Sequence, residues 1–351
     1  RSNQGVIYTA PIKALSNQKF RDFSKSYRDK IGILTGDVSI NPDAPVLIMT
    51  TEIFRNKILD EPRSLKKFSW VIYDEIHYID NYERGTVWEE SLMLLPGHIR
   101  ILGLSATVPN IEEFSSWLES VHNMPLKIII EETRPVPLHF RFQCQNKILD
   151  DFKKLREISL KTISYAYRGR RSEFHKEAHP NRLSALIGHI RQNEELPCIY
   201  FCFSRRRCEE LAEELYNFDF LREDEREDIL KLFNELIKRY DLEREPSTSR
   251  MYPLVERGIA YHHAGMLPTL KEVVEQLFTS RLLKVIFTTE TFALGINMPA
   301  RSVAFDDLRK FYGNYVCSLK TRDFYQMAGR AGRRGIDTEG FVYSRINPSK
   351  I

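Results

Sequence analysis

The chain has 351 residues, of which 42% are apolar and 28% are charged, and this is the composition of an ordinary globular protein. The length predicts two domains, each able to form its own core. No apolar run reaches the length of a membrane span and nothing near residue 1 resembles a signal peptide, so we expect no membrane partner.

The net charge is +4, which permits a polyanionic partner without requiring one, because locally placed Lys and Arg side chains matter more than their sum. The five cysteines are an odd number without the spacing of a disulfide framework, and they indicate an intracellular, reducing compartment. Cys198 and Cys202 lie in a strand-like run, and Cys208 lies on the apolar face of the next helix. We therefore expect these three side chains to pack in a core rather than to bind zinc.

In residues 1–133, short apolar runs alternate with helical stretches. Strands are expected at residues 5–9, 31–34, 46–49, 70–72 and 101–104, and a helix at residues 12–23. The repetition of strand, polar turn and helix indicates parallel strands with helical crossovers. Each polar cluster follows its strand, at the edge where doubly wound sheets bind ligands.

Two adjacent carboxylates, Asp74 and Glu75, follow the apolar run at residues 70–72. One of them can hold a hard cation such as Mg²⁺ through water, and the other can orient or deprotonate an attacking water. A solvated Asp-Glu pair at a strand end is the other interpretation. Residues 326–335 favour the first one, because their arginines could stabilise charge on a transferring phosphoryl group.

The pattern changes after Glu132. Residues 134–137 have the sequence Arg-Pro-Val-Pro, which cannot continue a helix or lie centrally in a sheet. We place a linker at residues 134–180, and we interpret its basic part as a solvated segment rather than a specific binding site.

The alternation resumes in residues 181–351, which we assign to a second domain. Helices are expected near residues 183–192 and 208–215, and strands near residues 198–203, 258–261, 285–287 and 302–305. Residues 219–249 are a highly charged insertion whose apolar residues keep helical spacing, so we expect it to pack as an amphipathic helix. The fold class is therefore α/β, with two similar parallel-sheet units.

Seven stretches, taken in order, resemble the motor core of superfamily-two DExH-box helicases, and within them the superkiller-type, exosome-assisting RNA helicases. They are residues 10–15 (APIKAL), 50–55 (TTEIFR), 74–77 (DEIH), 105–110 (SATVPN), 261–265 (YHHAG), 288–300 (TTETFALGINMPA) and 326–335 (QMAGRAGRRG). The resemblance covers nearly the whole chain and implies two tandem RecA-like domains.

The resemblance implies an ATP site in the cleft between the two domains. Asp74 would hold Mg²⁺ through water with Glu75 beside it, and Glu75 would activate the attacking water. Arg330 and Arg333 would be arginine fingers, since a fixed guanidinium matches phosphoryl oxygens better than a mobile ammonium does. Three further residues would lie near the nucleotide: Gln326 at the phosphates, and Gly295 and Asn297 at the ribose.

The resemblance also implies that His77, Ser105 and Thr107 couple the nucleotide state to domain closure. A single nucleic-acid strand would run across both domains and contact the other strand-end turns. The candidates are Pro11, Lys13, Gly36, Thr51, Glu52 and Arg55 in the first domain, and Ser204, Arg205, His263, Thr289 and Thr291 in the second. Small hydroxyl residues, backbone amides and a few cations suit the binding of phosphates, although for each residue a turn or capping role is as plausible. Of the pair His262 and His263, we expect His262 to be the buried one.

Such helicases require a phosphate-binding loop that ends in Gly-Lys-Ser/Thr, and no Gly-Lys pair occurs in this sequence. We therefore expect the first domain to lack its N-terminal phosphate-loop portion, and residues 1–351 alone to be inactive as an ATPase.

The favoured function is an ATP-dependent 3′-to-5′ RNA helicase in RNA processing or decay, with single-stranded RNA and an exosome-like nuclease or accessory subunits as partners. A strand-separating hairpin is expected between Phe305 and Phe324. Two alternatives stay open: a DNA-unwinding repair helicase of the same fold, and a non-hydrolysing nucleic-acid scaffold. RNA-specific binding needs contacts to 2′-hydroxyl groups, and no residue of the sequence can be assigned to them.

Overall fold

The computed structural model describes residues 5–81, 84–105, 108, 110–157, 181–290, 300–311 and 315–347. The chain divides into two compact units, Arg1–Glu132 and Thr133–Ile351. Each unit contains a mainly parallel sheet with helices, in agreement with the predicted fold class.

Unit 1 alternates strands with helices. Its strands are β1 (Gly5–Ala10), β2 (Ile31–Leu34), β3 (Ser39–Ile40), β4 (Val46–Thr50), β5 (Phe68–Tyr73) and β6 (Arg100–Gly103). Its α-helices are α1 (Lys13–Tyr27), α2 (Thr51–Asp60), α3 (Gly85–Met93) and α4 (Ile111–His122). Short 3₁₀ helices lie at Arg28–Lys30, Pro62–Lys67 and Ile76–Asp80.

The strand order of unit 1 is β3-β2-β4-β1-β5-β6, and all pairs except β2 with β3 are parallel. The central strands are apolar on both faces, because helices cover both faces of such a sheet. In β4, for example, Leu47, Ile48 and Met49 are fully buried. Since the strands are parallel, β1, β4, β5 and β6 end at one edge, where the predicted site residues follow them.

Unit 2 contains a second, larger sheet. Its strands are β7 (Leu138–Cys144), β8 (Lys147–Leu149), β9 (Cys198–Phe201), β10 (Ile259–His262), β11 (Val285–Thr288), β12 (Ser302–Phe305) and β15 (Gly340–Arg345). Its helices are α5 (Leu183–Gln192), α6 (Arg205–Glu214), α7 (Glu223–Arg239), α8 (Pro246–Val255), α9 (Pro268–Thr279) and α10 (Thr321–Ala328).

The strand order of this sheet is β10-β11-β9-β12-β15-β7-β8, and only β7 with β8 is antiparallel. The predicted second domain is thus a parallel sheet packed against helices, with a continuous core that runs from Leu183 to Tyr343. A separate antiparallel pair, β13 (Arg309–Phe311) with β14 (Val316–Ser318), lies within the segment where a hairpin was expected.

The predicted linker differs from the structure at residues 138–149. Residues 138–144 form β7 and residues 147–149 form β8, and residues 138–143 of β7 pair in parallel with β15. The two prolines at 135 and 137 suggested an extended connection, but the alternation of apolar and polar residues in Leu-His-Phe-Arg-Phe-Gln-Cys is that of a strand. The linker assignment is therefore wrong for these residues, and residues 158–180 lie outside the described part of the chain.

The charged insertion contains the predicted amphipathic helix, α7. Acidic residues occupy its first turn and Lys238 and Arg239 its last, which complements the helix dipole, and Ile229, Phe233 and Leu236 are buried on one face. Helix α8 was not predicted, and it begins within the insertion at Pro246 and extends beyond it to Val255. Pro246 at its start is compatible with a helix, but Pro253 inside it argues against one, and burial of Met251 and Leu254 stabilises it nonetheless.

All five cysteines are described, and all are free thiols. Cys198, Cys202 and Cys208 are fully buried among apolar side chains, so the prediction that they pack in a core is confirmed. Among the helices that the structure describes, none has the length and apolarity needed to cross a membrane.

A partly buried ion pair attaches β7 to the rest of unit 2. Arg141 on β7 donates from Nη1 to Glu195 Oε1 at 2.8 Å and to the Tyr343 hydroxyl of β15 at 2.7 Å. We expect Glu195→Ala to lower the free energy of opening of β7 and β15 by about 2 kcal/mol, because it leaves the Arg141 charge without its carboxylate. Amide hydrogen exchange of the full-length protein measures this quantity.

The matched control is Glu214→Ala, since Glu214 is exposed on α6. It should change the same free energy by less than about 0.5 kcal/mol. Unchanged exchange of the β7 amides in Glu195→Ala would show that the ion pair does not hold this strand.

Candidate functional site

The carboxylate of Asp74 lies at the end of β5 and is held by the neighbouring strand β1. Its backbone NH donates to Thr9 O at 2.9 Å, and its Oδ2 accepts a hydrogen bond from the Tyr8 hydroxyl. Lys19 Nζ lies 3.9 Å from the same oxygen. Burial raises the pKa of Tyr8, as do the hydrogen bond and the negative charge of Asp74, so the phenol stays protonated and keeps donating. The Asp74 side chain therefore has a fixed orientation.

Glu75 has an unusual backbone conformation, with φ 55° and ψ 46° in the left-handed region. This costs a residue with a Cβ about 1 kcal/mol or more. The conformation turns the chain sharply, so that Ile76 NH donates to Leu104 O at 2.9 Å and the 3₁₀ helix Ile76–Asp80 begins. The strained turn thereby places Glu75 at the sheet edge instead of continuing β5.

His77 connects this turn to the end of β6. Its ring is buried, and its Nδ1 lies 3.3 Å from Ser105 Oγ and 3.4 Å from Glu75 Oε2. The structure thus brings Glu75, the predicted base, together with His77 and Ser105, which were both predicted to couple the nucleotide state to domain closure. Their coupling role stays a prediction, and Thr107 lies outside the described residues.

The donor set at this edge suits magnesium. Mg²⁺ keeps several waters and is usually held by one or two carboxylates together with substrate phosphates, and Asp74 and Glu75 are adjacent carboxylates at a ligand-binding edge. No cluster of three or more His, Cys, Asp or Glu side chains that could enclose a metal occurs in the part of the chain that the structure describes. The residues present therefore fit a water-mediated magnesium site, not a closed metal cage.

The nucleic-acid candidates of unit 1 lie at the same edge, and their charges are paired within the unit. Lys13 Nζ lies 2.5 Å from Asp37 Oδ2 beside Gly36, Glu52 pairs with Arg84, and Arg55 Nη1 lies 3.3 Å from Glu90 Oε2. Pro11 and Thr51 are buried, and Thr51 Oγ1 donates to Ala10 O at 3.4 Å. These two residues support the edge, whereas Lys13 and Gly36 are exposed on it.

The candidates of unit 2 divide in a similar way. Ser204 caps α6 by accepting a hydrogen bond from Arg207 NH at 3.2 Å, and Arg205 is exposed against Gly265. Thr289 is 8% exposed. Thr291 lies outside the described residues, as do Gly295 and Asn297.

His262 is buried, as expected, but His263 is equally buried, since each residue is 4% exposed. His263 Nδ1 accepts a hydrogen bond from Gly265 NH at 3.2 Å, and its Nε2 lies 2.9 Å from Glu209 Oε1. Since Nδ1 accepts, the neutral ring carries its proton on Nε2 and donates it to Glu209. Burial lowers the pKa of His263 even though Glu209 opposes that shift. His263 therefore shapes the turn that ends at Gly265 and is not exposed for a direct contact.

Residues 326–335 form the last turn of α10 and the loop after it. Gln326 is partly buried on α10, and Arg330 O accepts a hydrogen bond from Ala300 NH at 2.9 Å. Arg333 forms a two-pronged pair with Asp337, from Nε to Oδ2 at 2.7 Å and from Nη2 to Oδ1 at 2.7 Å. Although burial acts to raise the pKa of Asp337, the hydrogen bonds from Arg333 hold it below the usual value. The guanidinium of Arg333 is thus fixed in one orientation.

Two family models match the chain in its two units. The model described as DEAD/DEAH box helicase matches residues 1–114, and the one described as helicase conserved C-terminal domain matches residues 240–335. Over 99% of the chain, the sequence is 39% identical to a DExH-box ATP-dependent RNA helicase of Arabidopsis thaliana, of which the match covers 37%. The chain belongs to the DExH-box helicases, in the superkiller-type group.

Two further relatives support this assignment. The helicase chain is 39% identical to the exosome RNA helicase MTR4 of Homo sapiens over 99% of its length and 35% of the relative. It is 41% identical to superkiller complex protein 2 of Homo sapiens over 96% of its length and 29% of the relative. The chain thus spans about a third of the length of the curated relatives it matches, and the resemblance stated from the seven motifs is confirmed.

Three residues that support the site of this helicase were not among the predicted ones. Tyr8 and Lys19 hold Asp74, and Arg134 donates to two carbonyl groups of the loop that carries Arg330. No local sequence pattern pointed to Tyr8, which lies beside Asp74 because β1 and β5 pair in parallel. No sequence signal pointed to Arg134, which lies 195 residues before Gly329.

We expect His263 to titrate with a pKa below its ordinary value of 6.5 and to carry its proton on Nε2 at neutral pH. Because the pKa of the folded state is below that of the unfolded state, the stability that this residue contributes is complete above pH 6.5 and is lost as the pH falls. Nitrogen NMR of the full-length protein with labelled histidine measures both properties.

Replacement of Glu209 by Gln is the control for this titration. It removes the carboxylate that opposes the shift, so the pKa of His263 should fall further. A proton on Nδ1 at neutral pH would contradict the assigned hydrogen bonds.

Proposed function

We propose that the complete protein is an ATP-dependent RNA helicase, and that this chain is the motor core that couples ATP hydrolysis to 3′-to-5′ movement along a single strand. The observation that supports this most is the turn at residues 74–77. It places two carboxylates and a buried histidine at a ligand-binding sheet edge, in a chain that belongs to the DExH-box helicases.

In this proposal Glu75 is the general base. A carboxylate at the end of β5 can accept a proton from a water that attacks the terminal phosphate of ATP. Asp74, with Glu75 beside it, would hold Mg²⁺ through water, and the ion would offset negative charge on the phosphates. Tyr8 and Lys19 keep the Asp74 carboxylate oriented for this role.

Arg330 and Arg333 would stabilise the charge that develops on the transferring phosphoryl group. The pairing of Arg333 with Asp337 uses Nε and Nη2. Its Nη1 takes no part in this pair and can donate to a phosphate oxygen. Gln326 at the phosphates, and Gly295 and Asn297 at the ribose, complete the proposed nucleotide contacts by family resemblance.

The single strand would contact the exposed sheet edges, with Lys13 and Gly36 in unit 1 and Ser204 and Arg205 in unit 2 as the accessible residues. Thr51, Glu52, Arg55, His263 and Thr289 would position them, and Thr291 is assigned to this surface by resemblance alone. Contacts of this type bind phosphates irrespective of base sequence. Ser105, His77 and Thr107 would transmit the nucleotide state to the strand-binding edge.

Strand separation is assigned to the antiparallel pair β13–β14. Phe311 and Val316 on this pair, and Tyr315 directly before β14, are more than half exposed, which suits apolar contact with the bases of an opening duplex. The names of the relatives associate such helicases with the exosome and the superkiller complex. We propose that this protein likewise assists a nuclease of the exosome type in RNA processing or decay. Its five free cysteines suit a reducing intracellular compartment.

Unwinding by the full-length protein tests this function. We expect ATP-dependent unwinding of an RNA duplex with a 3′ overhang, and none of the same duplex with a 5′ overhang. A matched DNA duplex should be unwound more slowly. Faster unwinding of DNA would favour the repair-helicase alternative, and the absence of strand-stimulated ATPase would favour the scaffold.

We expect Glu75→Gln in the full-length protein to lower the ATPase rate constant by about 100- to 10,000-fold, because the amide cannot accept the proton of the attacking water. Nucleotide-dependent binding of single-stranded RNA should persist. Steady-state ATPase and RNA-binding titrations measure the two effects.

The control is Glu89→Gln, since Glu89 is exposed on α3 and is assigned no role at the site. This variant should hydrolyse ATP at the wild-type rate. Normal turnover by Glu75→Gln would remove Glu75 from the proposed mechanism.

A further inference from the structure

Arg134 contacts the loop that carries both proposed arginine fingers. Its Nη2 donates to Gly329 O at 2.9 Å and to Ala331 O at 2.5 Å, and its Nε donates to Val136 O at 2.8 Å. The first two carbonyl groups belong to the residues on either side of Arg330. One guanidinium therefore holds the backbone immediately before and immediately after this side chain.

The carbonyl group of Arg330 itself has a different partner. Arg330 O accepts a hydrogen bond from Ala300 NH at 2.9 Å, and Gly332 NH donates to Ala300 O at 2.8 Å. The backbone here is a turn that continues from α10, because Gly329 has φ −59° and ψ −14° and Arg330 NH donates to Met327 O at 3.0 Å. The carbonyl groups of residues 329 and 331 thus accept hydrogen bonds from Arg134, and the carbonyl group of residue 330 accepts one from Ala300. The direction in which the Arg330 side chain leaves the loop depends on both sets of hydrogen bonds.

Arg134 also completes the C-terminal end of α10. The last carbonyl groups of a helix lack partners within the helix and carry partial negative charge, so a cation at this end is stabilising. The last turn of α10 contains no basic residue. Arg134 supplies the cation from a distant part of the sequence, at the turn that carries Gln326.

The residues after Arg134 pack against the same loop. A Cβ on Gly332, which has φ 79°, would lie 2.6 Å from Val136 Cγ1, and Gly340 NH donates to Pro137 O at 2.9 Å. The segment 134–137, first interpreted as a linker, is therefore closely packed on the arginine loop. It begins one residue after Thr133, where unit 2 begins.

We propose that Arg134 is a positioning residue for phosphoryl transfer, which sets the orientation of Arg330 and thereby makes the rate depend on the segment that enters unit 2. This inference rests on the proposed role of Arg330. Arg134 itself touches only backbone carbonyls among its assigned partners, so it acts through Arg330 and not on the phosphates.

The arrangement requires an arginine. Guanidinium has donors in a planar fork and serves three carbonyl oxygens here, whereas an ammonium is a compact group that cannot match this geometry. Arg134→Lys should retain the charge at the end of α10 but lose part of the constraint on the loop. Arg134→Gln should lose both.

Steady-state and single-turnover ATPase of the full-length protein test the inference. We expect Arg134→Gln to lower kcat by about 10- to 100-fold, the scale of effect that a displacement of about 1 Å has on a catalytic group. The KM for ATP should change by less than about threefold, because the interaction lost is one made in the transition state. Arg134→Lys should fall between this variant and the wild type.

A double-mutant cycle with Arg330 distinguishes an effect of Arg134 on the orientation of the Arg330 side chain from a general loss of order in unit 2. Arg330→Lys alone should slow hydrolysis but leave a measurable rate, and adding Arg134→Gln to it should cost less than about twofold more. If the two reductions multiply, or if Arg134→Gln alone has normal kcat while Arg330→Lys is impaired, the inference is wrong and the proposed function stands. Normal hydrolysis by Arg330→Lys would instead contradict the proposed role of Arg330.

Arg141→Gln is the matched control. Arg141 is also an arginine near the start of unit 2, but it bonds to Glu195 and Tyr343 and not to the arginine loop. Amide exchange of β7 and β15 should increase in this variant, with kcat per folded molecule unchanged. The two variants are compared at an equal increase in amide exchange of unit 2. If Arg141→Gln then lowers kcat as much as Arg134→Gln does, Arg134 has no specific positioning role.

Discussion

The common edge at which parallel strands end is the constraint on which the site of unit 1 depends. Strands β1, β5 and β6 are in parallel register, so the residues that follow them are neighbours whatever their separation in sequence. This brings the Tyr8 hydroxyl to Asp74 and Ser105 to His77. The left-handed turn at Glu75 then keeps the second carboxylate at the edge. Its backbone strain is offset by the hydrogen bonds that begin the following 3₁₀ helix.

In unit 2 the corresponding constraint is a loop held from two sides. Ala300 and Arg134 bind alternate carbonyls of residues 329–331, and Asp337 fixes the guanidinium of Arg333. Rigid support of this kind is what electrostatic stabilisation of a phosphoryl group requires, because donors that are already oriented need no reorganisation during the reaction.

Many of the predicted nucleic-acid residues are buried or internally paired, and such residues support the fold of the sheet edges. His263 and Thr51 are buried and shape the turns at the sheet edges, whereas Lys13 and Arg205 are exposed there.

Much of this fold could be predicted from local patterns. Apolar runs such as residues 285–287 are strands because both faces of the sheet are covered, and the helix expected at residues 183–192 coincides with α5. Strand β7 was missed because the preceding prolines outweighed a short alternating pattern, and α8 because Pro253 lies within it. Asp74, Glu75 and the arginines of residues 326–335 could be proposed from their residue types and positions, and the resemblance supplied the other motif residues. Tyr8, Lys19 and Arg134 were not predicted, because each acts through a contact between distant segments that no local pattern encodes.

The central claim is that Glu75 of unit 1 and Arg333 of unit 2 serve the same hydrolysis step. The most direct test compares slow single-turnover ATP hydrolysis by full-length Glu75→Gln, Arg333→Ala and the double variant. Residues that act together on one transition state show strongly non-additive effects. The account predicts that the double variant is about as slow as the slower single variant, whereas rate reductions that multiply would show that the two residues act independently.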